Sequence, residues 1–449
     1  MTTDATVARQ PLGLLRILGL VFGMAVVVGG IIGSGIMRAP GLVAQSFTSE
    51  PLILLAWAAG GAVAMLAAMP LVEAGAAVPL AGGPFPIAER AFGRTAGFFT
   101  GWMSWLAYTA SGAFIASVFG EYVHRLGFFP NLSTNLLACG LIAVVAAINW
   151  TGTRISGASQ SIASAAKGAV FVVLIAILFV SPRSTAPAPA HALAAATGFG
   201  AVIMAVRLIY QTYAGWDAAI YFSEEVQRPD RNIARSTFWG IGLCAVVYVL
   251  INAAVLHVLT PAQVAGSALA VGDAAKVSLG PAADLVITGF GLFSLAAIVN
   301  LQAMVATRVS YRMARDGAMP TVLGKVAQGG TPRWSLMLHI AVAMLFAATG
   351  GYESIVRIYA PWTIGSIFMV ILSQIRLRYA EPDLVRPWRV PWFPVVSLVA
   401  ALVQGSLLAV VMLDDPKDAA LSLVVVLAPI PIYLLAARRW RAAAATTFG

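Results

Sequence analysis

Twelve apolar runs, each long enough to cross a bilayer as a helix, take up most of this 449-residue chain. A helix rises 1.5 Å per residue, so about 20 consecutive apolar residues span the hydrocarbon core of a membrane. The runs lie at 15–46, 51–79, 95–125, 134–151, 160–181, 198–226, 234–259, 283–313, 334–350, 355–378, 391–413 and 419–437. The connections between them are short and leave no room for a large soluble domain. Charged residues make up 10% of the chain, against roughly 25% in a soluble domain. That excludes an ordinary soluble enzyme, a disordered chain and a secreted disulfide scaffold. Cys139 and Cys244 each sit inside an apolar run, so neither a disulfide framework nor a metal motif is implied. The first apolar stretch continues far past signal-peptide length, and no cleaved signal is expected.

The net charge of +10 would suggest nucleic acid as partner in a soluble protein. Here the basic residues lie mostly between the runs, and most of them fall in the two tails or in loops on the tails' side. Lysine and arginine accumulate on the cytoplasmic side of membrane proteins. Both termini are therefore expected in the cytoplasm, with membrane lipid and not nucleic acid around the chain. The expected organisation is an N-terminal tail over 1–14, a first helical unit over 15–181, a second over 198–378, two further helices over 391–437 and a C-terminal tail over 438–449. The Ala/Pro stretch from Ser184 to Ala196 is expected as an external loop.

Two runs are not ordinary. The first contains Gly29-Gly30-Ile31-Ile32-Gly33-Ser34-Gly35, and glycine weakens a helix where the bilayer is driest. The sixth contains Tyr213-Ala214-Gly215-Trp216-Asp217, a glycine beside a charge in mid-span. Unwound backbone at that depth survives only when buried in protein or lining a cavity. Breaks in the first and sixth spans are what two five-helix inverted repeats produce, facing each other as a substrate site. The half-helix opening at Gly33, Ser34 and Gly35 offers free N–H groups and a positive dipole end to a carboxylate. Unwound carbonyls at Ile31, Tyr213 and Ala214 offer acceptors to an ammonium. One pocket then grips both ends of an α-amino acid. The plainer alternative for the first segment is a small-residue packing face, since Gly29 and Gly33 are four apart.

At these residues the chain resembles the amino acid–polyamine–organocation transporters. Gly30-Ile-Ile-Gly-Ser-Gly-Ile36 is similar to the first-helix signature of that superfamily. Tyr213-Ala-Gly-Trp-Asp217, with Ser223-Glu-Glu-Val226 and Pro229-Asp-Arg-Asn-Ile233, resembles the sixth helix and following loop of L-type and bacterial amino acid permeases. Glu73 with Gly82-Gly83-Pro84, and Arg308 with Arg315-Asp-Gly317, fall in the same order as their family counterparts. The resemblance implies an all-α polytopic membrane protein of the leucine-transporter-like fold. It has twelve helices, with helices 1–5 and 6–10 as inverted repeats, helices 11 and 12 added, and helices 1 and 6 broken. It also implies a bacterial inner membrane. Gln211 falls where many relatives place an aromatic gate.

Ionisable groups inside the spans are functional candidates, because burying them is expensive. Lys167, early in the fifth span, either snorkels to the interface or reaches the broken first helix. In the second case the resemblance implies that its ammonium fills the place of sodium in sodium-coupled relatives, as a titrating coupling group or a fixed charge. Asp217 is either a contact or proton carrier at the cavity or an N-cap for the following half-helix. Asn300 and Gln302, amides in the eighth span, either bond a ligand or glue helices; Asn300 matches a family asparagine and is expected to line the pocket. Ser111 and Trp216 are candidate wall residues, each with a packing alternative. Glu73 is read as a helix-end partner, and Arg207 has no assigned partner. No cofactor motif occurs, and the four histidines have no metal-ligand spacing.

The function expected is therefore sodium-independent secondary transport of amino acids, neutral ones first, by alternating access as proton symport or exchange. A polyamine or organic-cation carrier of the same fold is the alternative. A membrane-embedded enzyme is a third class. It would require a nucleophile–base pair or metal cluster at one depth, and no His-Glu-x-x-His or Gly-x-Ser-x-Gly is present.

Overall fold

The computed structural model describes residues 13–187 and 199–448, apart from residues 34, 48, 268, 281, 350 and 351. The side chains of a few helical residues, Arg207 among them, also lie outside the described residues. Ser34 lies outside them too, as does the end of the loop expected over Ser184 to Ala196. What is described is helical, with one isolated bridge between Leu18 and Val226.

The helices are α1 (Leu20–Ile31), α2 (Gly35–Ala44), α3 (Glu50–Ala77), α4 (Pro84–Phe92), α5 (Arg94–Arg125), α6 (Thr134–Trp150), α7 (Thr153–Val180) and α8 (Phe199–Thr212). They continue with α9 (Pro229–Val258), α10 (Pro261–Ala265), α11 (Ala270–Leu279), α12 (Ala282–Arg315), α13 (Arg333–Thr349) and α14 (Tyr352–Ala380). The last three are α15 (Val395–Asp414), α16 (Pro416–Leu427) and α17 (Ile430–Phe448). A 3-10 helix, Trp216–Phe222, follows α8. Each of the twelve apolar runs coincides with a helix or a broken helix pair. Among the described residues, seven helices are long and apolar enough to cross a membrane, or eight if α1 and α2, bent by 48° at their break, count as one span. Two shorter apolar helices, α6 and α13, have 17 residues each. The chain is an integral membrane protein.

Local sequence sets the boundaries. Pro84 and Pro229 open their helices in the first turn, where the missing N–H costs nothing. α6 and α7 are joined through Gly152 at φ 137°, and a Cβ there would stand 2.9 Å from the Gly329 carbonyl oxygen. α17 runs on through Arg438, Arg439 and Arg441 to Phe448, so the expected C-terminal tail is helical. Its alanine run is a strong helix former. Three helices were not expected as elements: α4 after the second span, and α10 and α11 between the seventh and eighth.

Burial is reversed on the outer helices. α15 buries Val396, Ser397, Ala400 and Gln404, a stripe at four-residue spacing, while Leu398, Leu402 and Leu413 are exposed. Gln404 accepts from Tyr210 Oη at 2.8 Å and donates to the Ile364 carbonyl at 3.2 Å. A polar residue turned inward and leucines turned outward is the pattern expected of a helix against lipid, where water cannot satisfy an amide. α7 does the same. Gln160, Ser164 and Lys167 are buried, and Ile162, Val172 and Val180 face out. At the centre, α5 packs along α12 and α14, α3 along α9, and α1 against α7 and α9. This inner group holds both helix breaks. The first described stretch and the last helix lie at one face, called here the tail face: Leu18 pairs with the backbone of Glu225 and Gln227, and α17 lies against Gly317.

Candidate functional site

Where α1 stops at Ile31, the carbonyls of Gly29, Ile31 and Ile32 lose the helical N–H donors they would have had. Buried carbonyls need replacements, and three neighbouring helices supply them. Lys167 Nζ (α7) donates to Gly29 O and Ile32 O, each at 3.1 Å. Tyr248 Oη (α9) donates to Ile31 O at 2.8 Å. Ser294 Oγ (α12) donates to Ile32 O at 3.4 Å. Lys167 is fully buried on the inner stripe of α7, so its ammonium reaches the break and does not snorkel to an interface.

The second break follows α8. Gly215 has φ 108°, a left-handed conformation that glycine takes without steric cost. The two breaks touch. A Cβ on Gly30 would lie 2.8 Å from Gly215 O, and one on Gly215 would lie 2.7 Å from the Gly30 carbonyl carbon. Only glycine at both positions permits this main-chain contact. Tyr248 Oη also lies 3.2 Å from Thr212 O, so one hydroxyl ties both breaks together.

A cavity of about 190 Å³ opens beside this contact. One side is main chain from the breaks: Gly30, Ile31, Gly33, Gly35, Thr212, Ala214 and Gly215. The rest of the lining comes from α5 (Tyr108, Ser111, Phe114), α12 (Ile298, Leu301, Gln302) and α14 (Tyr359, Thr363). An engineered cavity of about 150 Å³ admits benzene, so this one admits a molecule of small amino acid size. Asp217 lines it, and its Oδ2 accepts from Tyr108 Oη at 2.8 Å. A second cavity of about 300 Å³, bounded by Tyr122, Arg125, Asp273 and Lys276 among others, meets the first at Gly33. It leads away from the tail face.

Toward the tail face the site is closed. Arg308 (α12) forks onto Glu225, Nε to Oε1 at 2.8 Å and Nη2 to Oε2 at 3.0 Å, with both side chains 1% exposed or less. Its guanidinium also reaches Thr153 Oγ1 at 3.3 Å and lies over the Phe222 ring. Glu73 sits at the end of α3 and takes Arg378 in a bidentate pair at 2.6 Å, together with the Val390 N–H. It is a helix-end partner, as its position suggested.

Of the residues singled out in the sequence, Ile31, Gly33, Gly35, Ser111, Gln211, Ala214 and Asp217 line the cavity. Lys167 lies behind the first break. The side chains of three point elsewhere, although Tyr213 was singled out for its main-chain carbonyl and not for its ring. Tyr213 turns its hydroxyl to the Trp57 carbonyl at 3.1 Å, and Trp216 is buried in the core. Asn300 donates to Gln160 Oε1 at 2.9 Å and accepts from Asn149 Nδ2 at 2.8 Å, joining α12 to α6 and α7. The reason is helical geometry: residues two apart on α12 point about 200° apart, so Gln302 and not Asn300 faces the cavity. Tyr108 and Tyr248 were missed as site residues, and Gln302 was weighed in the sequence without being assigned to the pocket. Tyr248 in particular carries no local signal, because its role depends on two carbonyls more than thirty residues away.

Comparison with known proteins bears directly on this arrangement. The family model described as amino acid permease matches residues 12–435. The chain belongs to the amino acid permease family. Its curated relatives include the mouse b(0,+)-type amino acid transporter 1, 30% identical over 396 residues, covering 86% of this chain and 80% of the relative. The human protein of the same name is 28% identical over 410 residues, covering 89% and 83%. The mouse large neutral amino acids transporter small subunit 2 is 27% identical over 447 residues, covering 96% and 83%. As a permease, the chain falls outside the enzyme class considered above. It is a member of the amino acid–polyamine–organocation superfamily that its motifs resembled.

Proposed function

We propose that this permease is a secondary transporter of amino acids that binds its substrate where the two helix breaks meet. The observation that carries the reading is the backbone contact of Gly30 with Gly215 beside a closed-ended cavity. Free N–H groups at the start of α2, around Gly33 to Gly35, take the carboxylate. Carbonyls at Ile31 and Ala214, with Tyr213 alongside them in the unwound turn, take the ammonium. The class named in the relatives, amino acid transport, supports the same substrate. A neutral side chain fits a wall of hydroxyl, amide, aromatic and apolar groups. A polycation calls for several acids, and Asp217 is the one acidic residue among the described lining residues.

Transport is independent of sodium in this reading, because the Lys167 ammonium already bridges Gly29 O and Ile32 O. Lys167 or Asp217 couples a proton, or the protein exchanges one amino acid for another. The units over 15–181 and 198–378 act as inverted repeats that rock about the shared site. The tails face the cytoplasm of a bacterial inner membrane, so the cavity reached through Gly33 is the external access route and Arg308–Glu225 is the internal closure. The test is uptake of a labelled amino acid panel by proteoliposomes, with and without sodium, a pH gradient and internal substrate. Uptake that sodium leaves unchanged, and that a proton gradient or internal amino acid accelerates, is expected. No uptake and no counterflow with any amino acid would overturn the reading.

A further inference from the structure

One corner of the tail face carries arginines that no carboxylate answers, at the head of an apolar stripe. From Arg228, at the N-cap of α9, through Arg231, Arg235, Trp239, Leu243 and Val246, exposed side chains recur every three or four residues. That spacing puts them on one helix face. Asp230 holds Arg231 at 3.6 Å. Arg228 and Arg235 make no ion pair or side-chain hydrogen bond among the described residues. The connection from α14 to α15 stands beside this stripe, because the Trp388 ring packs on Phe238 with centroids 4.9 Å apart. That connection exposes Arg389, also unpaired among the described residues, and Trp392, which is 83% exposed. Its other arginine, Arg386, is spent on the carbonyls of Leu377, Glu381, Pro382 and Leu384. Its acids are Glu381, held by Arg90, and the exposed Asp383.

Depth relates the charge to the apolar surface. α9 and α15 both pack on α3. Midway along its length α3 shows the small side chains Ala58, Ala59 and Ala62 outward. This strip is level with Ala245 of α9, since a Cβ on Gly61 would lie 2.7 Å from Ala245 Cβ. From Arg235 to Ala245 the helix rises about 15 Å, the hydrocarbon depth of one leaflet.

We propose that this corner is a binding site for an anionic phospholipid of the leaflet at the tail face. The phosphate sits among Arg228, Arg235 and Arg389. The glycerol lies beside Trp239 and Trp392, at the depth tryptophan favours. One acyl chain follows Leu243 and Val246 down to the alanine strip. Charge selects this occupant: each arginine beside an anionic membrane surface adds roughly fivefold to binding, which a neutral lipid forgoes. A free anion meets the arginines but gains nothing from the stripe below them. Bound there, the lipid braces the tail end of α9 against the connection whose Val390 N–H caps Glu73. The inference does not depend on which substrate the permease carries.

The experiment is native mass spectrometry of the full-length protein released from nanodiscs of phosphatidylcholine and phosphatidylglycerol in equal parts, with melting curves in detergent on adding either lipid or inorganic phosphate. The wild type is expected to retain phosphatidylglycerol at least about tenfold over phosphatidylcholine, and only phosphatidylglycerol should raise the melting temperature. Arg235→Gln with Arg389→Gln should remove most of that preference. Arg438→Gln with Arg439→Gln takes the same charge from exposed positions on α17, which packs on α12, and should leave it unchanged. Ala62→Phe, which fills the strip and touches no arginine, should weaken phosphatidylglycerol retention. If the Arg235 and Arg389 double variant does not fold, Arg389→Gln alone and Ala62→Phe carry the test. Equal losses in the two double variants overturn the inference, because the attraction then belongs to the whole face. Stabilisation by inorganic phosphate as strong as by phosphatidylglycerol overturns it in favour of a free anion. A dimer that the Arg235 and Arg389 variant dissociates overturns it in favour of a second copy of the chain.

Discussion

Lys167 is a charge placed to finish a helix that glycine has opened. Its ammonium, the Tyr248 hydroxyl and the Ser294 hydroxyl together answer the three carbonyls freed between Gly29 and Ile32. Lys167→Met keeps the chain length and removes the donors, leaving Gly29 O unmet and Ile32 O with only the 3.4 Å bond from Ser294. Uptake is expected to fall at least tenfold and stability by about 1–3 kcal/mol per unmet carbonyl, read by proteoliposome transport and by melting in detergent. Tyr248→Phe is milder, about 1 kcal/mol, because a single hydroxyl proton is shared between Ile31 O and Thr212 O. A different residue reports on the tail face. Glu89 on α4 is pushed up to about 7 by burial and by the nearby Asp316. An acid raised in the folded state costs stability wherever it is ionised. That cost is fully present above about pH 7 and is relieved as the pH falls from 7 toward 4.5. Glu89→Gln should therefore raise the melting temperature at pH 8, and the gain should shrink toward pH 5.

At the scale of elements, the breaks decide the architecture. Gly30→Leu or Gly215→Ala inserts atoms where a Cβ already meets backbone at 2.7–2.8 Å, and backbone cannot turn aside as a flexible side chain can. Each substitution should part α1 from the 3-10 helix and abolish substrate-induced thermal stabilisation, while membrane insertion, driven by hydropathy, persists. These two breaks were legible in the sequence because glycine within an apolar run is a local signal. So were the twelve runs, since hydropathy at bilayer length is local too. What escaped was non-local or polar. α4, α10 and α11 are short and lie between runs, where hydropathy says little. Asn300 was placed in the pocket and Gln302 left open, because the rotational setting of α12 depends on packing against α5, α6 and α7. The partner of Arg308 was likewise out of reach: Glu225 is 83 residues away, and two motifs read separately gave no sign that they meet.

For the whole molecule, the asymmetry between faces is the main fact. The cavity joins a larger one through Gly33, while the tail face is shut by Arg308–Glu225 and by the backbone pairing of Leu18 with Glu225 and Gln227. Removing one partner of a buried ion pair leaves an uncompensated charge and costs about 3–5 kcal/mol, whereas replacing both with apolar residues is often neutral. Arg308→Met is therefore expected to lower stability sharply and to raise labelling of a cysteine introduced beside the cavity by a reagent applied from the tail face. Arg308→Met with Glu225→Leu should recover most of the stability but retain the labelling. If the double variant stays protected, the closure lies elsewhere.

The meeting of Gly30 and Gly215 has a mechanical consequence. Two bare peptide planes rest on each other with no side chain between them, so in the proposed rocking motion a pivot there has no rotamer to reset and no void to open. Friction at the hinge point is low because there is nothing at the joint to rearrange. In the proposed rocking mechanism the cost of switching states falls on the rim, on contacts such as Arg308 with Glu225 that would be broken and remade with each turnover.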